Sequence, residues 1–169
     1  MLCPLTLHIR RLRETDLKAM AFIRQRVAEN WLCPAAEIDA RYIQPSFAAK
    51  PTCHIYIVVD PEQNLAGMVF LVHEPDGYLN IRSQLWVMAL FVKPPYRSRG
   101  VGRALLEACE RQGRRLGYSN LYLDTAEAAG YYAKLEGWEK IGSTRWEKNG
   151  LQLTVMRKTL SDNIPDPES

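Results

Sequence analysis

Leu90-Phe-Val-Lys-Pro-Pro-Tyr-Arg97-Ser-Arg-Gly100-Val-Gly102-Arg-Ala-Leu105 is the stretch on which the reading of this chain turns. An apolar run stops at a double proline. A tight basic loop with two glycines follows, and an amphipathic helix begins. Physically this is a strand, a turn and a helix N-terminus. Helix starts carry unpaired backbone N–H groups and the positive end of the helix dipole, so they attract anions such as phosphate. Glycines let the backbone come close to a ligand. Arg97, Arg99 and Arg103 add charge to the same spot. The loop reads as a pyrophosphate seat and points to a nucleotide-type cofactor.

Gly-x-Gly alone marks many ordinary helix starts, so the rest of the string must carry the specificity. No Gly-Lys-Ser/Thr follows, which excludes a Walker loop. The third glycine of a dinucleotide fingerprint is missing. From Lys93 to Arg115 there are seven bases and two acids. A solvated helix face explains Arg111, Arg114 and Arg115 as well as a ligand would, with Glu107 and Arg111 spaced for an i,i+4 pair.

Working outward, Leu5, Leu7 and Ile9 alternate with polar residues as a strand with one buried face, which turns His8 outward. Thr15 or Asp16 can cap a following helix, whose stripe is Leu17, Met20, Ala21, Val27, Ala28 and Trp31. Pro34 opens a second, shorter helix, and Pro45 to Pro51 reads as a loop. Ile55–Val59 and Leu65–Val72 form a hairpin about the turn Asp60–Asn64. Pro75-Asp-Gly77 is another turn, and Tyr78 to Gln84 is either strand or loop. Leu85–Val92 is apolar throughout, as a central strand covered on both faces would be. A helix over Val101–Leu116 buries Val101, Leu105, Ala108, Cys109 and Leu116. Leu121–Thr125 is a strand and Ala126–Leu135 a helix that Gly137 ends. Trp138–Trp146 and Leu151–Arg157 are strands joined through Asn149-Gly150, a strong hairpin signal. This order predicts an α/β fold with a single mixed, mainly antiparallel sheet flanked by helices. One domain over 1–160 is expected, with an acidic disordered tail over 161–169.

The chain has 169 residues, 47% hydrophobic and 24% charged, with a net charge of +3. These values are those of an ordinary globular domain. The longest apolar run is too short for a bilayer, and no signal peptide is evident, so no membrane and a cytoplasmic setting are expected. Cys3, Cys33, Cys53 and Cys109 lack metal-ligand spacing, and no metal is expected. No aromatic–basic interleaving favours a nucleic-acid partner. Oligomeric state stays open, a homodimer included.

The full string closely resembles the acetyl-CoA loop of the GNAT superfamily of N-acetyltransferases, through Val92, Pro94, Tyr96, Arg97, Gly100 and Gly102. Tyr131-Tyr-Ala-Lys-Leu-Glu-Gly137-Trp is similar to that family's second signature. The resemblance implies the GNAT-like acyl-CoA N-acyltransferase fold, with acetyl-CoA as co-substrate. It implies that Leu90, Phe91 and Val92 pair with the pantetheine arm. The amides of Arg97, Ser98, Arg99, Gly100, Val101, Gly102 and Arg103 would hold the pyrophosphate. The acceptor would be an amine on a small molecule, or a protein or peptide amine, acetylated by direct transfer.

Two departures stand out. The family's thiolate-protonating tyrosine stands four residues before the Gly-aromatic pair, where this chain has Ala133. Glu136 looks like a one-residue insertion. If it lies in the turn, Tyr132 keeps the catalytic position; if within the helix, the side chain swings by about 100°, and Tyr131 or no tyrosine takes the role. The strand before the loop, Ser83 to Ala89, lacks the family's glutamate base. His73, Glu74, Asp124, Glu127 or a water chain stand in its place. The competing reading is a catalytically idle acyl-CoA-binding GNAT-like regulatory module. On the acceptor side, Trp31, Glu37, Asp39 and Tyr42 could receive a cationic amine or could simply stabilise their own helices.

Overall fold

The computed structural model describes residues 6–74 and 83–160. The turn at Pro75-Asp-Gly77, most of Tyr78 to Gln84, and the tail 161–169 lie outside the described residues. Seven strands share one mixed sheet in the order β1-β2-β3-β4-β5-β7-β6. They are β1 His8–Arg11, β2 Cys53–Val59, β3 Leu65–Glu74, β4 Gln84–Val92, β5 Asn120–Thr125, β6 Trp138–Arg145 and β7 Gln152–Thr159. The helices are α1 Leu17–Trp31, α2 Ala35–Ile38, α3 Gln44–Ser46, α4 Val101–Arg115 and α5 Ala129–Ala133. The fold class is that expected, and so is the element order apart from α3 and the π-helical turn before it. Among the described residues no helix is long and apolar enough to cross a membrane. The chain divides into two compact units, one drawn from Met1–Val72 and Ala89–Ala108, the other from His73–Met88 and Cys109–Ser169.

In the first unit, β1 and β2 pair antiparallel, with His8 opposite Val59, and β2 pairs antiparallel with β3. His8 is exposed, as its place in the alternation requires. Both β2 and β3 are buried along nearly their whole length, so neither shows the alternation of a half-solvated strand. Helix α1 buries Ala19, Met20, Ile23 and Val27. The expected stripe is corrected at two places: Leu17 is 70% exposed and Ala21 is exposed. Leu17 and Ala21 lie off the buried face that Ala19 and Met20 begin, and Ile23 sits at the centre of the true stripe. Asp16 is the residue before α1, yet its side chain makes no cap bond to the helix. It accepts two bonds from Arg10, at 2.7 and 2.9 Å, and one from the Arg13 N–H at 2.7 Å. The Arg10 guanidinium holds the Asp16 carboxyl below its ordinary pKa.

After α2 the chain widens into a π-helical turn over Asp39–Ile43 and runs into α3. Pro45 therefore lies in a helical turn instead of opening a loop. Trp31, Tyr42 and Phe70 close an aromatic triangle with centroid distances of 5.2, 6.0 and 5.8 Å.

In the second unit, β4 pairs parallel with β5 at Trp86 and Tyr122, β5 pairs antiparallel with β7, and β7 with β6. Trp86, Tyr122 and Val155 form a buried cluster, and Trp86 Nε1 donates to Gln84 Oε1 at 2.7 Å. Glu110 is buried in this unit and accepts from Lys158 Nζ at 2.8 Å. Leu116, expected on the buried face of α4, lies past the helix end and is 44% exposed. The Asn149-Gly150 turn forms as predicted, with Gly150 at φ 70° and Leu151 N–H donating to Asn149 Oδ1 at 2.9 Å.

Strand β4 departs from its expected burial. Gln84 to Val87 are buried, whereas Met88 to Val92 are half-buried. The change coincides with Ala89, which has φ 52°. A left-handed residue inside a strand breaks the pleat as a bulge does. The strand's second half is therefore not covered on both faces. Its position is fixed from β3: a Cβ built on Gly67 would lie 2.9 Å from the Phe91 carbonyl oxygen, a backbone atom. Gly67→Ala should cost about 1–3 kcal/mol as an overpacking change. Urea denaturation should show the lower midpoint, whereas Gly142→Ala, where a Cβ meets nothing within 4 Å, should shift it far less.

Candidate active site

The loop expected to seat a pyrophosphate follows directly from the open half of β4. Lys93 N–H donates to the Ala66 carbonyl at 2.8 Å, which prolongs the attachment to β3. Pro94–Tyr96 then form a single 3-10 turn. Ser98 has φ 59° and Gly100 has φ 75°, both in the left-handed region that builds anion-binding nests. The Gly100 carbonyl accepts from Ala104 N–H at 3.0 Å and so begins the ladder of α4. The N–H groups of Val101, Gly102 and Arg103 thus occupy the first turn, whose donors have no intrahelical acceptor. A Cβ added at Gly100 would meet nothing within 4 Å. The space over the loop is open to a ligand, and the donor set suits a pyrophosphate.

Side chains brace this loop from two directions. Arg97 Nε donates to the Val92 carbonyl at 2.9 Å, folding the loop back on β4. Its guanidinium also lies 5.8 Å from the Phe91 ring centroid. Tyr96 Oη donates to Asp60 Oδ2 at 3.3 Å. Asp60 in turn accepts from the Asn64 backbone N–H at 2.8 Å and from Asn64 Nδ2 at 3.0 Å. These bonds, led by the Asn64 side chain, hold the Asp60 carboxyl below its ordinary value. The hairpin turn Asp60–Asn64 is therefore an anchor for the loop, a role that nothing in the sequence around it advertises. Arg99 and Arg103 are exposed. Arg103 pairs with Glu107 at 3.1 Å. Glu107 was expected to pair forward with Arg111; it pairs one turn back instead, so the charge of Arg103 is shared between its own helix and the loop.

Tyr132 belongs to the second unit. It is buried, with its ring 5.3 Å from Tyr131 and 6.0 Å from Trp138. Tyr131 is 45% exposed. Burial, helped by Tyr131, Asp124 and Cys109, pushes the Tyr132 hydroxyl up to about 12. Helix α5 is much shorter than the sequence indicates. Thr125 Oγ1 accepts from Ala128 N–H at 3.0 Å and delays its start, and it ends at Ala133. Glu136 therefore lies in the turn beyond the helix, and Gly137 closes that turn at φ 84°. The base candidates scatter over the same unit. His73 Nε2 is 3.3 Å from Ser83 Oγ, with its ring 5.7 Å from that of Tyr118. Asp124 and Glu127 are exposed.

On the expected acceptor side the acids are already engaged. Asp39 takes Arg24 Nε at 2.7 Å, and Glu37 takes Arg41 at 3.2 Å. Trp31 and Tyr42 belong to the aromatic triangle with Phe70. Each of these four residues has a partner within the chain, the arrangement that the helix-stabilising alternative describes.

The acetyltransferase (GNAT) family model matches residues 20–138. The chain belongs to the GNAT acetyltransferase family. Within that family it is 28% identical over 121 residues to N-alpha-acetyltransferase 80 of Mus musculus. The match takes in 70% of this chain and 38% of the mouse protein, so this GNAT chain corresponds to only part of its relative. A chain of the NatC complex bound to Gag peptide and CoA superposes with a TM-score of 0.72 at 17% identity, covering 93% of this chain and 100% of that one. The ribosomal-protein-S18-alanine N-acetyltransferase from Escherichia coli gives 0.65 at 20% identity, covering 95% and 100%. At such identities the two structures show that the GNAT fold is shared.

The Asp60 anchor makes a pH prediction. Because the carboxyl is held below its ordinary value of 3.8, its ionised form stabilises the folded loop. The stability gap between wild type and Asp60→Asn should be constant above about pH 5 and shrink as pH falls through the lowered value. Tyr96→Phe should weaken acetyl-CoA binding while leaving the melting temperature nearly unchanged. Unaltered acetyl-CoA affinity in that variant would show that the loop holds its shape without Asp60.

Proposed function

We propose that this chain is an acetyl-CoA-dependent N-acetyltransferase that moves the acetyl group directly onto a primary amine. The observation carrying this reading is the left-handed loop, open above Gly100, that delivers the first-turn N–H groups of α4. Val101, Gly102 and Arg103 would offer these donors to the pyrophosphate, with Arg97, Ser98, Arg99 and Gly100 completing the seat. Leu90, Phe91 and Val92 lie on the half-buried second part of β4. Their backbone would pair with the pantetheine arm as an added strand does. A backbone N–H of this segment would polarise the acetyl carbonyl as charge develops on its oxygen. The names of the mouse and bacterial relatives make protein amino termini the first acceptors to try.

Tyr132 is the residue we assign to the leaving sulfur. The position of Glu136, in the turn and not in α5, supports it over Tyr131. Its raised pKa shapes what it can do. A phenol held at about 12 faces a thiol of ordinary pKa near 8.5, so complete transfer is uphill by about 5 kcal/mol. Tyr132 therefore acts first as a hydrogen-bond donor to the developing thiolate. It completes proton delivery only as it receives the proton shed by the attacking amine.

Two variants test this. Gly100→Val puts a branched side chain at φ 75° and fills the open space, so acetyl-CoA affinity by calorimetry should fall at least about tenfold, or 1.4 kcal/mol. Tyr132→Phe should lower kcat roughly 10²-fold with cofactor affinity preserved. Wild-type rate should rise with pH as the acceptor amine deprotonates, without a falling limb from Tyr132 below about pH 11, since its proton is held to about 12. Tight acetyl-CoA binding with no coenzyme A release across a broad amine panel would replace the enzyme with an acyl-CoA-binding module.

A further inference from the structure

In the first unit two local rules are broken, at the two ends of one side chain. Asp16 precedes α1, where an aspartate ordinarily caps the first N–H groups of a helix, yet it makes no cap bond. Gln63 has φ 65°, a left-handed conformation that glycine and asparagine adopt readily and a longer side chain does not. Asn64, beside it, is not in that region. Arg10 joins these exceptions. Its Nη1 and Nη2 donate to Asp16 Oδ2 and Oδ1 at 2.7 and 2.9 Å, and Nη2 also donates to Gln63 Oε1 at 3.1 Å. The Arg10 and Asp16 side chains are mostly shielded from solvent. A bidentate guanidinium–carboxylate pair has a fixed geometry. It therefore sets the direction of the remaining Arg10 donor, which points at the β2–β3 turn.

The turn passes the constraint on. Gln63 N–H donates to the Asp60 carbonyl at 2.9 Å, and Asp60 N–H donates to the Asn64 carbonyl at 3.0 Å. Asn64 grips the Asp60 carboxylate with its backbone and its side chain, and Oδ2 of that carboxylate accepts from Tyr96. An unbroken series of bonds thus runs from the start of α1 through Arg10, Gln63 and Asp60 to the Pro94–Tyr96 turn. Its last link, at 3.3 Å, is long for a bond between two oxygens, so a small shift of the hairpin turn breaks it. Local preferences set aside at both ends of such a series, with no local gain, mark groups arranged for a distant task.

We infer that Arg10 and Gln63 are positioning residues for the acetyl-CoA loop: Arg10, oriented by Asp16, holds the β2–β3 turn in the left-handed shape that presents Asp60 to Tyr96. The inference rests on the acetyltransferase reading above, which makes that loop the cofactor seat. In this role neither residue touches the ligand. With the tie cut, the turn relaxes, Tyr96 loses its acceptor part of the time, and fewer molecules carry a formed seat. Apparent affinity falls with that fraction. The loss falls on association, because the seat once formed is unchanged.

The test sets folding against binding. Gln63→Gly removes the bond to Arg10 and relieves the left-handed strain at the same position. Its melting temperature should equal or exceed that of wild type, since glycine suits the backbone there. Acetyl-CoA affinity, measured calorimetrically on the full chain, should nevertheless fall about threefold to tenfold, the range of coupling carried through such a network. Stopped-flow kinetics should place the loss in association, with dissociation within about twofold of wild type. Gln63→Glu keeps an acceptor for Arg10 and should bind acetyl-CoA within about twofold of wild type. In a Tyr96→Phe background, Gln63→Gly should change affinity by less than about 1.5-fold, because the series is already cut. Arg10→Lys, which cannot hold Asp16 and Gln63 with one planar fork, should behave as Gln63→Gly does in binding. Unchanged acetyl-CoA affinity in Gln63→Gly overturns the inference. So does a loss that persists at full size in the Tyr96→Phe background, or one carried by dissociation, which would mean direct contact with the ligand. If Arg10→Lys does not fold, the Gln63 series decides alone. A wild-type chain that binds no acetyl-CoA removes the cofactor reading and this inference with it. Wild-type binding with an indifferent Gln63→Gly removes the inference alone.

Discussion

The position of β4 against β3 is set where Gly67 faces the Phe91 carbonyl. No side chain fits between them, and the Lys93 N–H bond to Ala66 continues the same attachment past the end of the strand. Everything in the candidate site of the first unit hangs from that line. Phe91 can meet Phe22 because its backbone is fixed. The Pro94–Tyr96 turn starts from a held point, and Tyr96 reaches Asp60 across a hairpin that belongs to β3. The bulge at Ala89 then converts a buried strand into a half-exposed one within a single residue.

Charge is distributed with similar economy. Acids on α2, on the π-helical turn and on α4 are each matched by an arginine, and the buried Glu110 by Lys158. Pairs as exposed as Arg41–Glu37 contribute little stability individually.

Much of this was legible in the sequence, for identifiable reasons. The Val92–Gly102 string carries its chemistry locally, so the strand, loop and helix start could be read without tertiary knowledge. Asn149-Gly150 likewise determines its own turn. What could not be read depends on residues far apart in the chain. Leu17 has the right spacing for a core stripe but is the first residue of the helix and stays 70% exposed, while Ala19 and Met20 of the same turn are buried. Helix α5 shrinks because Thr125 captures the Ala128 N–H, a competition that periodicity does not record. Glu107 has arginines four residues away on both sides, and spacing alone cannot choose between them. Asp60 looks like an ordinary turn residue until Tyr96 arrives from 36 positions later. Nothing local to α1 indicates that the Arg26 guanidinium comes 4.4 Å from the Phe91 ring centroid.

The bond from Arg97 Nε to the Val92 carbonyl has a thermodynamic meaning of its own. It closes a short ring of chain across the double proline, in which two of the backbone torsions are already fixed by the pyrrolidine rings. With Tyr96 tied to Asp60 as well, the loop gives up its conformational freedom when the protein folds, not when a ligand arrives. A seat formed in advance needs little rearrangement on encounter, so association is limited mainly by diffusion and charge and residence time by the contacts themselves. Under the proposed acetyltransferase reading, in which an acyl donor is exchanged at every turnover, a rigid doorway is the arrangement that lets the donor enter and leave without remaking the site each time.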